Sequence, residues 1–242
     1  MRVTFFGSGH GVPEPERKCS SILVEAGNGK YIFDMGCDAV WELAKLGETP
    51  ESVRAVFISH PHGDHCDGLV SFCDIISWYY TKSSPKFFLP NERVKNALKG
   101  WMAGFTDTRD SFDKFDISTR SEGELYGDGT MKITAIKNLH CEDSRSFLIE
   151  AENRKVLYTA DLKRPSADFP DVDGADLLIC EGAHFPVTEY EPILRERKFA
   201  QVVITHFGTA IGLVNVDNAK ALRKALAPLP VRLAHDGLEV SL

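Results

Sequence analysis

The segment His60-Pro61-His62-Gly63-Asp64-His65 constrains this chain more than any other, because it directly follows the short apolar run 55–59. That run predicts a strand buried on both faces, and loops after such strands often carry functional side chains. Three imidazoles and a carboxylate within six residues suit zinc and other first-row metals. The sequence therefore predicts a metal site where a buried strand ends.

Candidates for further ligands stand at the ends of three later predicted strands. His140 follows the run 133–138, Asp161 ends the run 156–160, and His206 ends the run 202–205. Ligands at strand ends are held by a rigid scaffold. We therefore add these three residues to the candidate metal site.

Strand-like and helix-like runs alternate along the chain. Strands are predicted at 3–6, 21–25, 31–34, 55–59, 86–89, 132–137, 146–151, 155–159, 177–180, 201–205, 231–234 and 238–242, and helices at 39–47, 66–80, 92–104, 188–197 and 217–227. Residues 105–116 are assigned to a loop, and the last two strands to a terminal hairpin. This order predicts an α/β (α+β) fold, with two packed sheets and helices outside. Because we find neither a linker nor a repeat, we expect one domain over 1–242.

Composition narrows the class of partner. The net charge of −7 argues against a broad nucleic-acid surface. No apolar run approaches the roughly 20 residues needed to cross a bilayer, and no basic leader precedes the first strand. We therefore expect a cytoplasmic protein with a small-molecule substrate and no membrane partner. A homodimer is the assembly considered, since dimers are the commonest oligomers.

Taken in order, these motifs resemble those of the metallo-β-lactamase superfamily, and Phe33-Asp34-x-Gly36 resembles its first motif. The resemblance implies a four-layer αββα sandwich with the site at one edge. It also implies two divalent ions, one held by His60, His62 and His140, the other by Asp64, His65 and His206, with Asp161 bridging and Asp34 supporting a ligand from behind. Zinc is the expected ion, with manganese and iron as alternatives.

The opening Gly7-Ser8-Gly9, with Pro13, Arg17 and Ser20-Ser21, resembles the phosphodiesterase branch of that superfamily. This branch includes tRNase Z and the cyclic phosphodiesterase of carbon–phosphorus lyase operons, although the Cys-rich insertion of the latter has no counterpart here. A hydroxide bridging two ions would then be the nucleophile. Only 20 residues separate His140 from Asp161, which leaves no space for the RNA-gripping arm of tRNase Z. We therefore expect a small or cyclic phosphodiester as substrate, and no extended nucleic acid.

Several residues have less specific signals. His184 stands 22 residues before His206, where phosphodiesterases of this branch carry a non-ligand histidine. We predict that Asp64 and His184 are catalytic residues, with His184 as the general acid. The alternative is that His184 is a structural histidine. His235 or Asp236 is expected to support a residue of the site from behind through a hydrogen bond. The alternative is an ordinary turn residue. Arg109, Lys114 and Arg145 are candidate phosphate contacts, and the aromatic segments 78–80 and 101–105 belong either to the core or to a substrate pocket.

Two other functions fit the same residues. A thioester, carboxylic ester or lactone hydrolase would use nearly the same metal chemistry on the same scaffold. A non-enzymatic metal- or ligand-binding protein is the alternative of another class. It is disfavoured because all seven ligands implied by the resemblance are present.

Overall fold

We describe the chain from a computed structural model. It describes residues 1–12, 14–104, 112–208 and 216–242, with the side chain of residue 216 left out. Three residues named above, Pro13, Phe105 and Arg109, therefore lie outside the described residues.

Strands make up most of the regular structure. In the described ranges they are β1 Arg2–Gly7, β2 Ser21–Ala26, β3 Gly29–Met35, β4 Val53–Phe57, β5 Lys86–Phe88, β6 Asp116–Ser118, β7 Gly123–Gly127, β8 Met131–Lys137, β9 Arg145–Ala151, β10 Arg154–Tyr158, β11 Leu177–Glu181, β12 Val202–Thr205, β13 Val231–Leu233 and β14 Glu239–Ser241.

Helices connect these strands. They are α1 Ala39–Lys45, α2 Gly63–Cys66, α3 Gly68–Trp78, α4 Glu92–Met102, α5 Pro165–Asp168, α6 Glu191–Glu196 and α7 Val216–Ala225, with 3₁₀ turns at Pro50–Ser52, Phe112–Lys114 and Val187–Tyr190. None of the helices in the described ranges combines the length and apolar character that crossing a membrane would require.

The strands form two seven-stranded sheets that pack face to face. The first has the order β14-β1-β2-β3-β4-β5-β6, and the second β13-β12-β11-β10-β9-β8-β7. Alternation along β3 shows how the layers form: Tyr31 and Phe33 enter the core between the sheets, while Ile32 joins the core under α1, α3 and α4. A third core, containing Leu194 and Leu222, lies between the second sheet and α6 and α7. The predicted arrangement of two sheets with outer helices is confirmed.

Parallel pairing determines where the ends of the strands meet. β3 to β6 run parallel in the first sheet, and β10 to β13 run parallel in the second. The carboxyl ends of parallel strands lie at a common edge, where ligand sites form in open sheets. The loops after β4, β10 and β12 carry the candidate ligands at this edge.

The hairpin predicted for the last two strands was wrong, because β13 pairs with β12 in the second sheet and β14 pairs with β1 in the first. Of the segment 105–116 assigned to a loop, residues 105–111 lie outside the described residues. The sequence did not predict β6, which overlaps this segment only at Asp116 and pairs with β5 over only three residues. Such short strands have too few residues to establish an alternating pattern.

Candidate metal centre

The histidine-rich segment leaves the end of β4 and turns into α2. It is held against the loop after β3, where a Cβ on Gly36 would lie 1.8 Å from the backbone oxygen of Asp64. Glycine is therefore required at position 36 for the backbones to approach this closely. This contact places Asp64 and His65 beside the loop that carries Asp34.

One group of candidate ligands joins His60, His62, His140 and Asp161. Their ligand atoms all lie within 4.8 Å of one another. His62 Nδ1 is 3.0 Å from His60 Nε2 and 3.2 Å from His140 Nε2. Asp161 Oδ2 is 3.7 Å from the Nε2 atoms of both His60 and His140. The structure thus brings the first sheet's histidines to the two residues from the second sheet.

A second group joins Asp64, His65 and His206. Asp64 Oδ2 lies 3.6 Å from His65 Nε2 and 3.9 Å from His206 Nε2. Asp161 also reaches this group, with Oδ1 3.4 Å from His65 Nε2 and Oδ2 3.1 Å from His206 Nε2. Asp161 therefore lies between the two groups.

The chemistry of these side chains fits a cation. His65 Nε2 and Asp161 Oδ1 are buried and have no hydrogen-bond partner among the described residues. A buried polar atom without a partner is costly, and a metal ion would satisfy both atoms. Burial lowers the pKa of His60 and His140, which favours the neutral imidazole that binds metals. The cluster therefore fits a metal site.

The ionisation state of Asp161 also favours a metal site. Burial alone would raise its pKa, but His206 and His65 hold the pKa of the Asp161 carboxyl well below its ordinary range. The side chain is consequently a carboxylate, the form that can coordinate an ion shared by two groups.

Asp34 supports His65 from behind. Its carboxylate lies 2.8 Å from His65 Nδ1 and accepts hydrogen bonds from Ser59 N at 2.7 Å and Tyr158 OH at 2.7 Å. With Nδ1 donating to Asp34, Nε2 of His65 faces Asp64 and Asp161. Such carboxylate–histidine pairs set the tautomer and orientation of ligands.

Two serines orient candidate ligands in the same way, and sequence reasoning gave them no such role. Ser20 Oγ lies 2.8 Å from His206 Nδ1, and Ser59 Oγ lies 2.9 Å from His60 Nδ1. A single serine carries no spacing signal. Only the position of Ser59, directly before His60, could have indicated its role.

His184 lies beside both groups and is open to solvent. Its ring centroid is 4.7 Å from that of His140 and 5.8 Å from that of His206. Nδ1 lies 2.9 Å from the carboxylate oxygens of Glu181, and this hydrogen bond raises the pKa of His184 to about 9. Sequence reasoning missed Glu181, although a glutamate three residues before His184 at a strand end was visible.

His235 lies exposed after β13, with Nδ1 3.0 Å from the backbone oxygen of Asp236. Asp236 instead bonds the N-terminal loop, accepting from the backbone amides of Ser8 and Lys18, both at 2.9 Å. That loop continues to Gly11, where a Cβ would lie 3.1 Å from Asp64 Oδ2. The contacts connect Asp236 with the site, while a role for His235 stays a prediction.

Arg145 does not offer its charge to a substrate. Its guanidinium is buried and donates hydrogen bonds to the backbone oxygens of Ile58, Phe88 and Arg120. The prediction of a phosphate contact was therefore wrong, because these carbonyls at the ends of β4 and β5 and beyond β6 occupy the donors. Arg145 instead stabilises the end of β4, shortly before His60.

The sequence assigned the aromatic segments 78–80 and 101–105 either to the core or to a substrate pocket. Three of their large aromatic side chains lie at the surface. Trp78, Tyr79 and Trp101 are 50%, 80% and 64% exposed, so they do not belong to the core. Trp101 lines a groove of about 490 Å³ between α3 and α4, together with Pro61 of the histidine-rich segment and Cys66, which follows that segment.

Comparison with known proteins identifies the family. The family model described as "Anti-Pycsar protein Apyc1" matches residues 1–180. The chain belongs to this family. Membership in the Apyc1 family is consistent with the site, because all seven candidate ligands except His206 fall within the matched residues.

Relatives of this Apyc1-family chain carry the same fold. Ribonuclease Z of Limosilactobacillus fermentum is 28% identical over 156 residues, which span 62% of this chain and 49% of the relative. The metallo-β-lactamase fold protein YhfI of Bacillus subtilis superposes with a TM-score of 0.75 at 21% identity, covering 99% of both chains. The short form of human tRNase Z gives 0.70 at 20% identity, covering 100% of this chain and 99% of its own. These matches confirm the metallo-β-lactamase fold and the resemblance to the phosphodiesterase branch.

The relatives also correct one expectation. By name, the relative from L. fermentum is a ribonuclease and the human neighbour a tRNase. The expectation that an extended nucleic acid is excluded as a partner of this Apyc1-family chain was therefore wrong. Net charge is an average over the whole surface. The short spacing between His140 and Asp161 rules out an RNA-binding arm at only one position in the chain. Neither observation restricts the size of a substrate.

Proposed function

We propose that this chain is a metal-dependent hydrolase of phosphodiester bonds. The observation that carries the proposal is the pair of ligand groups that share Asp161, whose Oδ1 is buried without a partner among the described residues. The ribonuclease Z similarity supports the phosphodiester as the reacting bond. Small cyclic phosphodiesters and RNA are both within the proposal.

His60, His62, His140 and Asp161 would hold one divalent ion, and Asp64, His65, His206 and Asp161 the other. The histidine and carboxylate ligands suit zinc, with manganese and iron as alternatives. When bound, such ions supply an activated water at neutral pH and neutralise charge on the phosphoryl oxygens. Asp34, Ser20 and Ser59 hold the imidazoles in the orientation that presents their ligand nitrogens.

His184 would act on the leaving group. The Glu181 carboxylate keeps its imidazole protonated near neutral pH and fixes Nδ1, so that Nε2 is the nitrogen available to a substrate. A proton from Nε2 to the leaving oxygen would prevent an alkoxide from being expelled. The side chain is 38% exposed, which leaves it accessible to a bound phosphodiester.

The test uses protein stripped of metal and reloaded with zinc, manganese or iron(II). Hydrolysis of bis(p-nitrophenyl) phosphate, cyclic nucleotides and a precursor tRNA is compared with hydrolysis of a thioester and a lactone. We expect phosphodiester turnover that depends on added metal and falls at least about 100-fold in Asp161→Asn, more than is typical when a supporting residue is lost. Asp171→Asn, an exposed aspartate, is the matched control and should behave as wild type. Phosphodiester turnover equal in wild type and Asp161→Asn, or a clear preference for the thioester or lactone, would overturn the proposal.

A further inference from the structure

The loop that carries His140 is held by hydrogen bonds. This loop joins β8 to β9, and the Leu139 side chain directly before His140 is 55% exposed. Apolar packing therefore contributes little at Leu139. Asn138 fixes one side of the loop, because its buried amide donates to Ser146 Oγ and to the backbone oxygen of Thr159.

Asp168 fixes the other side. Its Oδ2 accepts a hydrogen bond from the backbone amide of Leu139 at 2.8 Å, across 29 residues of sequence. The same oxygen accepts from the backbone amide of Lys163 at 2.9 Å, and Oδ1 accepts from that of Arg164 at 3.0 Å. Lys163 and Arg164 follow closely on Asp161. One carboxylate thus joins the loop carrying His140 to the loop carrying Asp161.

We infer that Asp168 is a positioning residue that sets His140 against Asp161 and so completes one of the two ligand groups. This inference rests on the metal centre proposed above. Hydrogen bonds from backbone amides to a carboxylate are about twice as strong as neutral ones. Among the described residues, Asp168 accepts no hydrogen bond from Asp64, His65 or His206. Its loss should therefore act on the group of His140 through two loops, and on the other group only through Asp161.

Asp168→Asn is the informative substitution because it keeps the size of the side chain. Three backbone amides meet the two carboxylate oxygens, so the asparagine NH₂ must face at least one of them. A donor facing a donor forms no hydrogen bond. The variant therefore either separates the two loops or releases the amide of Arg164, and Asp168→Ala removes all three contacts.

Hydrogen exchange of the metal-free protein tests the link between the loops. We expect the Leu139 amide to exchange about 10-fold faster or more in Asp168→Ala than in wild type, as the loss of a hydrogen bond to a charged acceptor requires. Peptides from β10 and β12 should exchange at wild-type rates in the same samples, which shows that the fold is intact. Asp171→Asn should leave the Leu139 amide unchanged. Unchanged exchange at Leu139 in Asp168→Ala overturns the inference.

Zinc titration against a chelating dye tests the consequence for the site. We expect wild type to bind two equivalents, and Asp168→Ala, which loses all three contacts, to bind one of them about 10- to 100-fold more weakly. Equal affinities in wild type and Asp168→Ala overturn the positioning role, even if the loop exchanges faster. A wild-type chain that binds no zinc, manganese or iron overturns the proposed function and, with it, the role of Asp168 at a metal.

Discussion

Histidine residues in this site differ by what occupies their second nitrogen. His65 turns Nδ1 to Asp34, His206 and His60 turn Nδ1 to serines, and His184 turns Nδ1 to Glu181. A carboxylate makes an imidazole more basic than a hydroxyl does. His184 combines such a carboxylate with solvent access, which suits the proton transfer proposed for it.

Replacing His184 tests this assignment at the scale of one residue. We expect His184→Gln to lower kcat about 10²- to 10⁴-fold for substrates that leave as alkoxides, as for the loss of a general acid. The loss should be smaller for bis(p-nitrophenyl) phosphate, because p-nitrophenolate leaves without a proton. Metal content, measured on the same samples, should stay at the wild-type value. Equal losses for both leaving groups, or lost metal, would assign His184 to binding instead.

Sequence reasoning found the candidate ligands and, through the resemblance, Asp34, but not the other residues that orient the ligands. The group from His60 to His65 is visible because four candidate ligands stand within six residues. Ser20 and Asp168 are single residues of common types, and their roles depend on contacts across 186 and 29 residues. Contacts of that kind become apparent only when the loops are placed in space.

Among the elements, α2 and the loop after β3 approach each other closely. The hypothetical Cβ of Gly36 would also lie 2.6 Å from the carbonyl carbon of Asp64 and 2.9 Å from Cys19 Cβ. Backbone atoms cannot rotate away as a flexible side chain can. The position of Asp64 and His65 therefore depends on the absence of a side chain at residue 36.

A methyl group at this position should displace the helix. We expect Gly36→Ala to lower the free energy of unfolding by about 1–3 kcal/mol, as overpacking does, and to weaken zinc binding. Gly100→Ala in α4 is the matched control, since its Cβ would meet nothing within 4 Å. It should leave zinc affinity unchanged and stabilise the chain slightly, because alanine favours helix. Urea unfolding and zinc titration measure both effects, and wild-type values for Gly36→Ala would contradict the close packing.

Continuous apolar runs made strands such as β3 and β4 predictable, whereas the pairing of the strands at the end of the chain was not. In β3 successive side chains point to two different cores, so apolar residues follow one another without alternation. β13 and β14 have three residues each, and their adjacency in sequence suggested a hairpin. Their pairing with β12 and β1 depends on the position of both sheets, which local sequence does not encode.

Across the whole molecule, the candidate ligands come from both sheets. His60, His62, Asp64 and His65 follow β4 of the first sheet, while His140, Asp161 and His206 follow β8, β10 and β12 of the second. An ion bound by both sets joins the two sheets at their common edge. Metal binding should therefore stabilise the entire fold rather than one loop.

Removal of metal should lower the melting temperature. A ligand present at about 100 times its Kd stabilises the folded state by about 2.7 kcal/mol. For a chain of this size, that corresponds to about 5–10 °C in Tm. Calorimetry of the zinc-loaded protein with and without a chelator measures the shift, and the Tm of Asp161→Asn should respond much less. A wild-type Tm unaffected by chelation would argue against an ion shared by the sheets.

The division of ligands between the sheets also determines when the site can exist during translation. A growing chain presents the segment from His60 to His65 early, but His206 lies 141 residues later. Domains fold as their parts emerge from the ribosome. The residues after β4 can offer only four of the seven candidate ligands, so the complete site becomes available for metal loading only after His206 has been synthesised.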